Sequence, residues 1–246
     1  MNRIIPGAVV LIAIVAAGFL AIRNTSKKST NKPDAGQATT TFSTPKKSPH
    51  FETSSPAHGQ VLAAAPINIV IDFNFDLHAK STIKVTNNGK EYTTGSTTID
   101  TNKLTLRRAF DTSAPDGTYR ATYSACWPDG SCHDGHHEFA IDRSRAASFE
   151  DMTGKKELTI RMSQIKFQPM EIKISKGTKV TWVNDEAVEH YVNTDSHPGH
   201  TYFLDQNSRG LSKGQSFSNL FELAGLYPYH CSPHVPQKMR GTILVI

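Results

Sequence analysis

The pattern of apolar and polar positions divides this 246-residue chain into four stretches. Ile4 to Ile22 reads IIPGAVVLIAIVAAGFLAI, nineteen residues without a charge. A run of that length can cross a bilayer as a helix. Residues 24–48 are rich in Ser, Thr, Lys, Pro and Asn. They have little to bury, which predicts a flexible, exposed tether. From His50 to about Asp142, short β-prone runs alternate with turn signals. Ile67 to Phe73 has the alternation of a strand. Asn87-Asn88-Gly89 separates Ile83–Thr86 from Lys90–Tyr92 in the manner of a hairpin turn, and Pro115-Asp116-Gly117 leads into Thr118–Tyr123. A polar stretch, Arg143 to Lys156, precedes a second set of strands: Leu158–Met162, Met170–Ile174, Val180–Val183, Ser216–Phe221, Leu226–Tyr229 and Thr242–Ile246. Strands this frequent, with no helical period, predict β-sandwiches. The expected fold class is therefore all-β, with two β-sandwich domains after an N-terminal transmembrane helix. The expected division is 1–23 anchor or signal segment, 24–48 linker, 49–145 first sandwich and 150–246 second sandwich.

The apolar run is long for a signal peptide, and no Ala-x-Ala site precedes the polar stretch, so a retained anchor is expected over a cleaved leader. Arg3 precedes the run, while Arg23, Lys27 and Lys28 follow it, a balance that leaves orientation open. The net charge of +5 is spread along the chain apart from the cluster after residue 22. Basic residues there read as topology signals or lipid contacts. No arginine-rich stripe with interleaved aromatics is present, so nucleic acid is not an expected partner. The three cysteines are Cys126, Cys132 and Cys231. An odd count in an exported protein points to one disulfide and one thiol kept for chemistry. Cys126 and Cys132 flank a Trp-Pro-Asp-Gly turn and could staple a hairpin.

The chemistry concentrates in Tyr229-His-Cys231-Ser-Pro-His234-Val-Pro-Gln-Lys-Met239-Arg-Gly241. A thiolate, an imidazole and a thioether share one loop there, spaced Cys-x2-His-x4-Met. A second imidazole, His190, follows Trp182-Val-Asn-Asp185. A thiolate with two imidazoles makes a trigonal plane, and a distant thioether completes it weakly along the axis. Soft sulfur favours Cu(I), whereas imidazole serves both oxidation states. His190, Cys231, His234 and Met239 are the expected ligands of one redox-active copper in a type 1 (blue copper) site. Zinc accepts such donors too, but the axial methionine favours copper. A binuclear copper site would need two cysteines in this loop, and only Cys231 is there.

Residues 157–246 resemble the cupredoxin family, in particular its plastocyanin and pseudoazurin branch. The resemblance rests on Phe167-x-Pro169, Gly177-x-x-Val180-x-Trp182-x-Asn184, His190, Gly214-x-x-Phe217, Gly225-x-Tyr227-x-Tyr229-x-Cys231 and the loop to Gly241. It implies a Greek-key sandwich and the same four ligands. In many family members an Asn after the upstream histidine ties the two ligand loops together; here Tyr191 stands in that place. Ser196-His197-Pro-Gly-His200 offers either a second metal site or a solvated loop. Strand alternation turns His230 away from the copper.

The stretch His50-Phe-Glu-Thr-Ser-Ser-Pro56-Ala-His-Gly59, with Ala65-Pro66, Phe73, Asp116-Gly-Thr-Tyr119 and Asp129 to Phe139, resembles CopC-type copper-resistance domains over roughly residues 50–142. This implies an immunoglobulin-type sandwich and a possible second copper. Copper-binding members use an amino-terminal histidine and an Asp-x-His pair. His50 is internal here, and Ser131 falls where the paired histidine would lie. His133, His136 or His137 could substitute, with Asp134-Gly-His136 as another pair. The alternative is a structural sandwich without metal, held by a Cys126–Cys132 disulfide.

Together these readings predict a membrane-tethered electron carrier in the cell membrane, single-pass, with both β-domains on the extracytoplasmic side. Its partners would be redox proteins. The alternative is copper sequestration, delivery or tolerance. An enzyme would need further copper centres with histidine pairs, no His-x-His pair occurs, and no catalytic site is identified. The cupredoxin resemblance implies His234 as the electron port, beside Val235 and Pro236.

Overall fold

The computed structural model describes residues 40–246. The expected membrane helix at Ile4–Ile22 lies outside them. Among the described residues, no helix is long and apolar enough to cross a membrane.

The first sandwich is built from β1 (Phe51–Ser55), β2 (Val61–Leu62), β3 (Asn68–Phe73), β4 (Thr82–Asn87), β5 (Lys90–Glu91), β6 (Thr93–Ile99), β7 (Thr105–Phe110), β8 (Gly117–Cys126) and β9 (Cys132–Ile141). One sheet has the order β1-β3-β7-β6, the other β2-β9-β8-β4-β5. The β4–β5 turn has positive φ at both Asn88 (48°) and Gly89 (79°). That is the backbone a two-residue hairpin turn requires, and Asn-Gly reaches it at little cost. Cys126 and Cys132 face each other at the turn end of the β8–β9 hairpin and are joined as a disulfide. Cys231 is the remaining cysteine, free and buried.

The second sandwich contains β10 (Glu150–Asp151), β11 (Glu157–Ser163), β12 (Lys166–Gln168), β13 (Glu171–Ile174), β14 (Thr178–Asn184), β15 (Asn193–Thr194), β16 (Ser216–Phe221), β17 (Gly225–His230) and β18 (Arg240–Val245). Its sheets run β10-β13-β18-β17-β15 and β12-β11-β14-β16. Apolar alternation puts Ile160, Met162, Val180, Trp182, Tyr227, Tyr229 and Ile243 into one core between the sheets.

The structure differs from the sequence expectation in two places. The expected tether is held at its end: Lys46 pairs with His136 beside β9, the Ser43 N–H donates to Glu138, and the Ser48 N–H donates to the Tyr123 hydroxyl. Backbone pairing at a sheet edge overrides the low hydrophobicity of these residues. The polar stretch Arg143–Lys156 is also not a plain connector. It forms a 3-10 turn, Arg143–Ser148, and then supplies β10, which pairs in parallel with β13.

The two sandwiches pack directly on each other. β3 is buried on both faces: Ile69, Ile71 and Phe73 enter the first core, while Val70, with Ile67 just before the strand, joins the second. Reciprocally, Leu226 and Leu244 of the second sandwich belong to the first core. The Tyr202 hydroxyl accepts from the Ile67 N–H at 2.8 Å and donates to the Leu226 carbonyl at 2.7 Å.

Candidate metal centre

β17 delivers Cys231 at its end, and the chain then turns through Ser232–His234 before β18 begins at Arg240. The loop is closed by its own backbone. The His234 N–H donates to the Cys231 carbonyl at 3.0 Å, the Met239 N–H to the His234 carbonyl at 3.2 Å, and the Cys231 N–H to the Met239 carbonyl at 3.0 Å. These bonds hold thiol, imidazole and thioether in one small ring. His190 comes from the other sheet's side, after β14, and is fixed by two backbone bonds to Leu211. Asn184 shapes that loop: its buried amide donates to the carbonyls of Val188 and Leu211, and its oxygen accepts from the Glu186 N–H.

The two loops converge. Cys231 Sγ lies 3.6 Å from His190 Nδ1 and 3.2 Å from His234 Nδ1, and the ligand atoms of the three residues are all within 4.8 Å of one another. A metal bonded to sulfur at about 2.3 Å and to nitrogen at about 2.0 Å in a trigonal plane would separate them by about 3.7 Å. The donor set is therefore close to what one ion needs. Met239 is buried in the same core as Cys231. Exposure is 0% for His190 and Cys231, 1% for Met239 and 9% for His234, so the His234 edge is the candidate ligand nearest solvent.

The surrounding hydrogen bonds prepare the donors. Glu186 Oε1 accepts from His190 Nε2 at 2.6 Å, which leaves Nδ1 as the lone pair facing the sulfur. Burial raises the Glu186 carboxyl, but N–H donors from Ile165, His190 and Gln164 outweigh it and hold the pKa below the usual range. Burial pushes the Cys231 thiol up, opposed by the N–H groups of Tyr191 and His234. Burial and the neighbouring His190 push His234 down, towards the neutral, ligating form.

The loop tie expected from an asparagine after His190 is made differently. Tyr191 turns its side chain outward to Glu189, while its backbone N–H donates to Cys231 Sγ at 3.3 Å. Asn193 takes over the side-chain tie: Ser232 Oγ donates to Asn193 Oδ1 at 3.0 Å. Sequence reasoning missed Glu186, Asn193 and Ser232. An acid four positions before His190 was the one local signal available.

No three histidines of the first sandwich bring their ligand atoms together, although His58, His136 and His137 line one pocket. His50 Nδ1 is 2.9 Å from Asn74 Oδ1 and its ring stacks on Phe75. His136 Nε2 bonds the Thr44 carbonyl, and His137 is buried with neither ring nitrogen hydrogen-bonded. Among the described residues, only two groups of three metal-ligating side chains converge, and neither lies in the first sandwich. The second group is His197, His200 and His230. His230 faces away from Cys231, as alternation predicts.

Comparison with known proteins agrees with this division. The CopC domain matches residues 51–142, and the family of copper binding proteins of the plastocyanin/azurin type matches residues 154–246. Amicyanin-alpha from Methylorubrum extorquens is 35% identical over 88 residues, covering 35% of this chain and 69% of that protein. Plastocyanin from Scenedesmus fuscus is 35% identical over 83 residues, covering 32% of this chain and 85% of its own length. Fold and site together define a cupredoxin joined to a second β-sandwich. Through residues 154–246 the chain belongs to the plastocyanin/azurin family of copper binding proteins, and it carries a CopC domain before them. Its cofactor is copper, one type 1 ion for the cupredoxin domain.

Proposed function

We propose that this protein carries single electrons between redox partners, with His190, Cys231, His234 and Met239 as the ligands of its copper. The observation that carries this reading is the convergence of one sulfur and two Nδ1 atoms at 3.2–3.6 Å from sulfur to nitrogen, in a loop closed by its own backbone. Copper so bound gains and loses one electron. The chain's part is to hold the donors still in both states. The Cys231–Met239 backbone bond, the Glu186 acceptor and the Asn193–Ser232 tie all resist ligand movement. His234 is the exit: at 9% it is the most exposed of the four, beside half-buried Val235 and exposed Pro236. Small, weak interfaces suit such an encounter. The uncharged run Ile4–Ile22 supports a membrane anchor, with both sandwiches outside the cytoplasm, where the Cys126–Cys132 disulfide persists.

The test is the absorption and EPR spectrum of the copper-loaded protein with and without Cys231→Ser. An intense sulfur-to-copper charge-transfer band is expected, and the substitution abolishes it. An unchanged spectrum would refute the ligand set. The CopC domain favours a second reading, copper sequestration or delivery. Stopped-flow redox kinetics beside a copper-transfer assay separates the two. Fast, complete redox cycling with retained copper is expected; slow cycling with ready loss of metal to an acceptor would favour delivery.

A further inference from the structure

We infer that His197, His200 and His230 form a second metal site, a three-imidazole site that takes Cu(II). It goes beyond the electron-carrier reading and uses none of that site's ligands. The three side chains offer ligand atoms within 4.8 Å of one another, and their ring centroids are 5.2–5.5 Å apart. Three nitrogens around one ion at about 2.0–2.1 Å stand about 3.4 Å apart in a tetrahedral set.

The hydrogen bonds select tautomers that suit a metal. His230 is 2% exposed, and its Nδ1 is bonded to Asp195 Oδ1 at 3.0 Å. Its Nε2 is buried without any hydrogen-bond partner. An unpaired lone pair in that position costs free energy unless something occupies it. Ser232 Oγ gives its own proton to Asn193, so it accepts from His200 Nε2 at 2.9 Å. That fixes the His200 proton on Nε2 and leaves Nδ1 open. A carboxylate behind one ligand and a hydroxyl behind another is the arrangement that orients metal-binding imidazoles. Neutral imidazoles favour Cu(II) over other first-row divalent ions.

The supporting frame comes from the first sandwich. Asp72 on β3 accepts from Ser196 Oγ and from Thr201 Oγ1, one residue before His197 and one after His200. Arg107 on β7 donates to the carbonyls of Thr201 and Tyr202. The loop that carries two of the three histidines is thus pinned to the CopC domain at both of its ends.

The test is copper stoichiometry by equilibrium dialysis of the full-length, tag-free protein against Cu(II), with metal counted by mass spectrometry. The wild type is expected to bind two equivalents. H197A/H200A is expected to bind one and to keep the charge-transfer band; C231S is expected to keep one equivalent that lacks the band and shows nitrogen hyperfine structure in EPR. C231S combined with H197A/H200A should lose that remaining equivalent. Wild type saturating at one equivalent, or a second equivalent that survives H197A/H200A, would overturn the site. So would uptake of zinc with copper excluded. Failure of the electron-carrier reading shows instead as a missing band, whatever the stoichiometry.

Discussion

Single residues decide how well the cupredoxin ligands are aimed. Glu186 is the clearest case, because its carboxylate fixes the His190 tautomer through a 2.6 Å hydrogen bond. Removing such an orienting group typically weakens metal binding ten- to a hundredfold. Glu186→Ala is expected to lower copper affinity by about that factor in a competition titration, while Glu186→Gln, which can still accept from Nε2, keeps most of it. Equal affinities in the two variants would show that the hydrogen bond does not matter. The convergence of His190, Cys231 and His234 was legible in the sequence because Cys231 and His234 share one short loop and His190 follows a recognisable strand. Asn193 and Ser232 were not, because their bond joins positions 39 apart and depends on which atoms the folded loops bring together.

At the scale of elements, β9 and β17 show what alternation tells and what it leaves out. Alternation put Cys231 in the core and His230 on the opposite face, and both assignments hold. It said nothing about what covers that face. His197 and His200 arrive there from a loop some thirty residues upstream, pinned by contacts to Asp72 and Arg107 that no local pattern announces. On β9, His136 bonds the Thr44 carbonyl, while His137 is buried. Burial pushes the His137 imidazole down to about 4, from an ordinary 6.5. A base with a depressed folded pKa gives full stability above its unfolded value and loses it as pH falls through the folded one. Unfolding free energy of the metal-free protein should therefore decline from about pH 6.5 to about pH 4, with His137 contributing on the order of 3 kcal/mol. Urea denaturation of His137→Leu at the two ends of that window is expected to show a smaller difference than wild type. An undiminished difference would place the pH sensitivity elsewhere, with His200 the next candidate.

For the whole molecule, the two β-patterns were readable because each domain has its own strands, turns and core. The interface between them was not. The one hint was Ile69-Val70-Ile71, three apolar residues in succession within a strand that otherwise alternates. Such a run means burial on both faces, but it does not say by what. Tyr202 tests the coupling. Its hydroxyl satisfies an N–H of the first sandwich and a carbonyl of the second, both buried. Tyr202→Phe leaves both unpaired, at a cost of about 1–3 kcal/mol. A lower urea midpoint is expected, with the single transition beginning to split into two. A midpoint unchanged from wild type would mean that the hydroxyl adds nothing to the joint.

Because β3 shares its side chains between two cores, severing the chain between Asp142 and Glu150 would not liberate two well-behaved halves. One fragment would carry Leu226 and Leu244 bare, the other Ile67 and Val70. Greasy flanks of that kind make proteins stick to one another. Anyone isolating either half should expect aggregation until those positions are made polar.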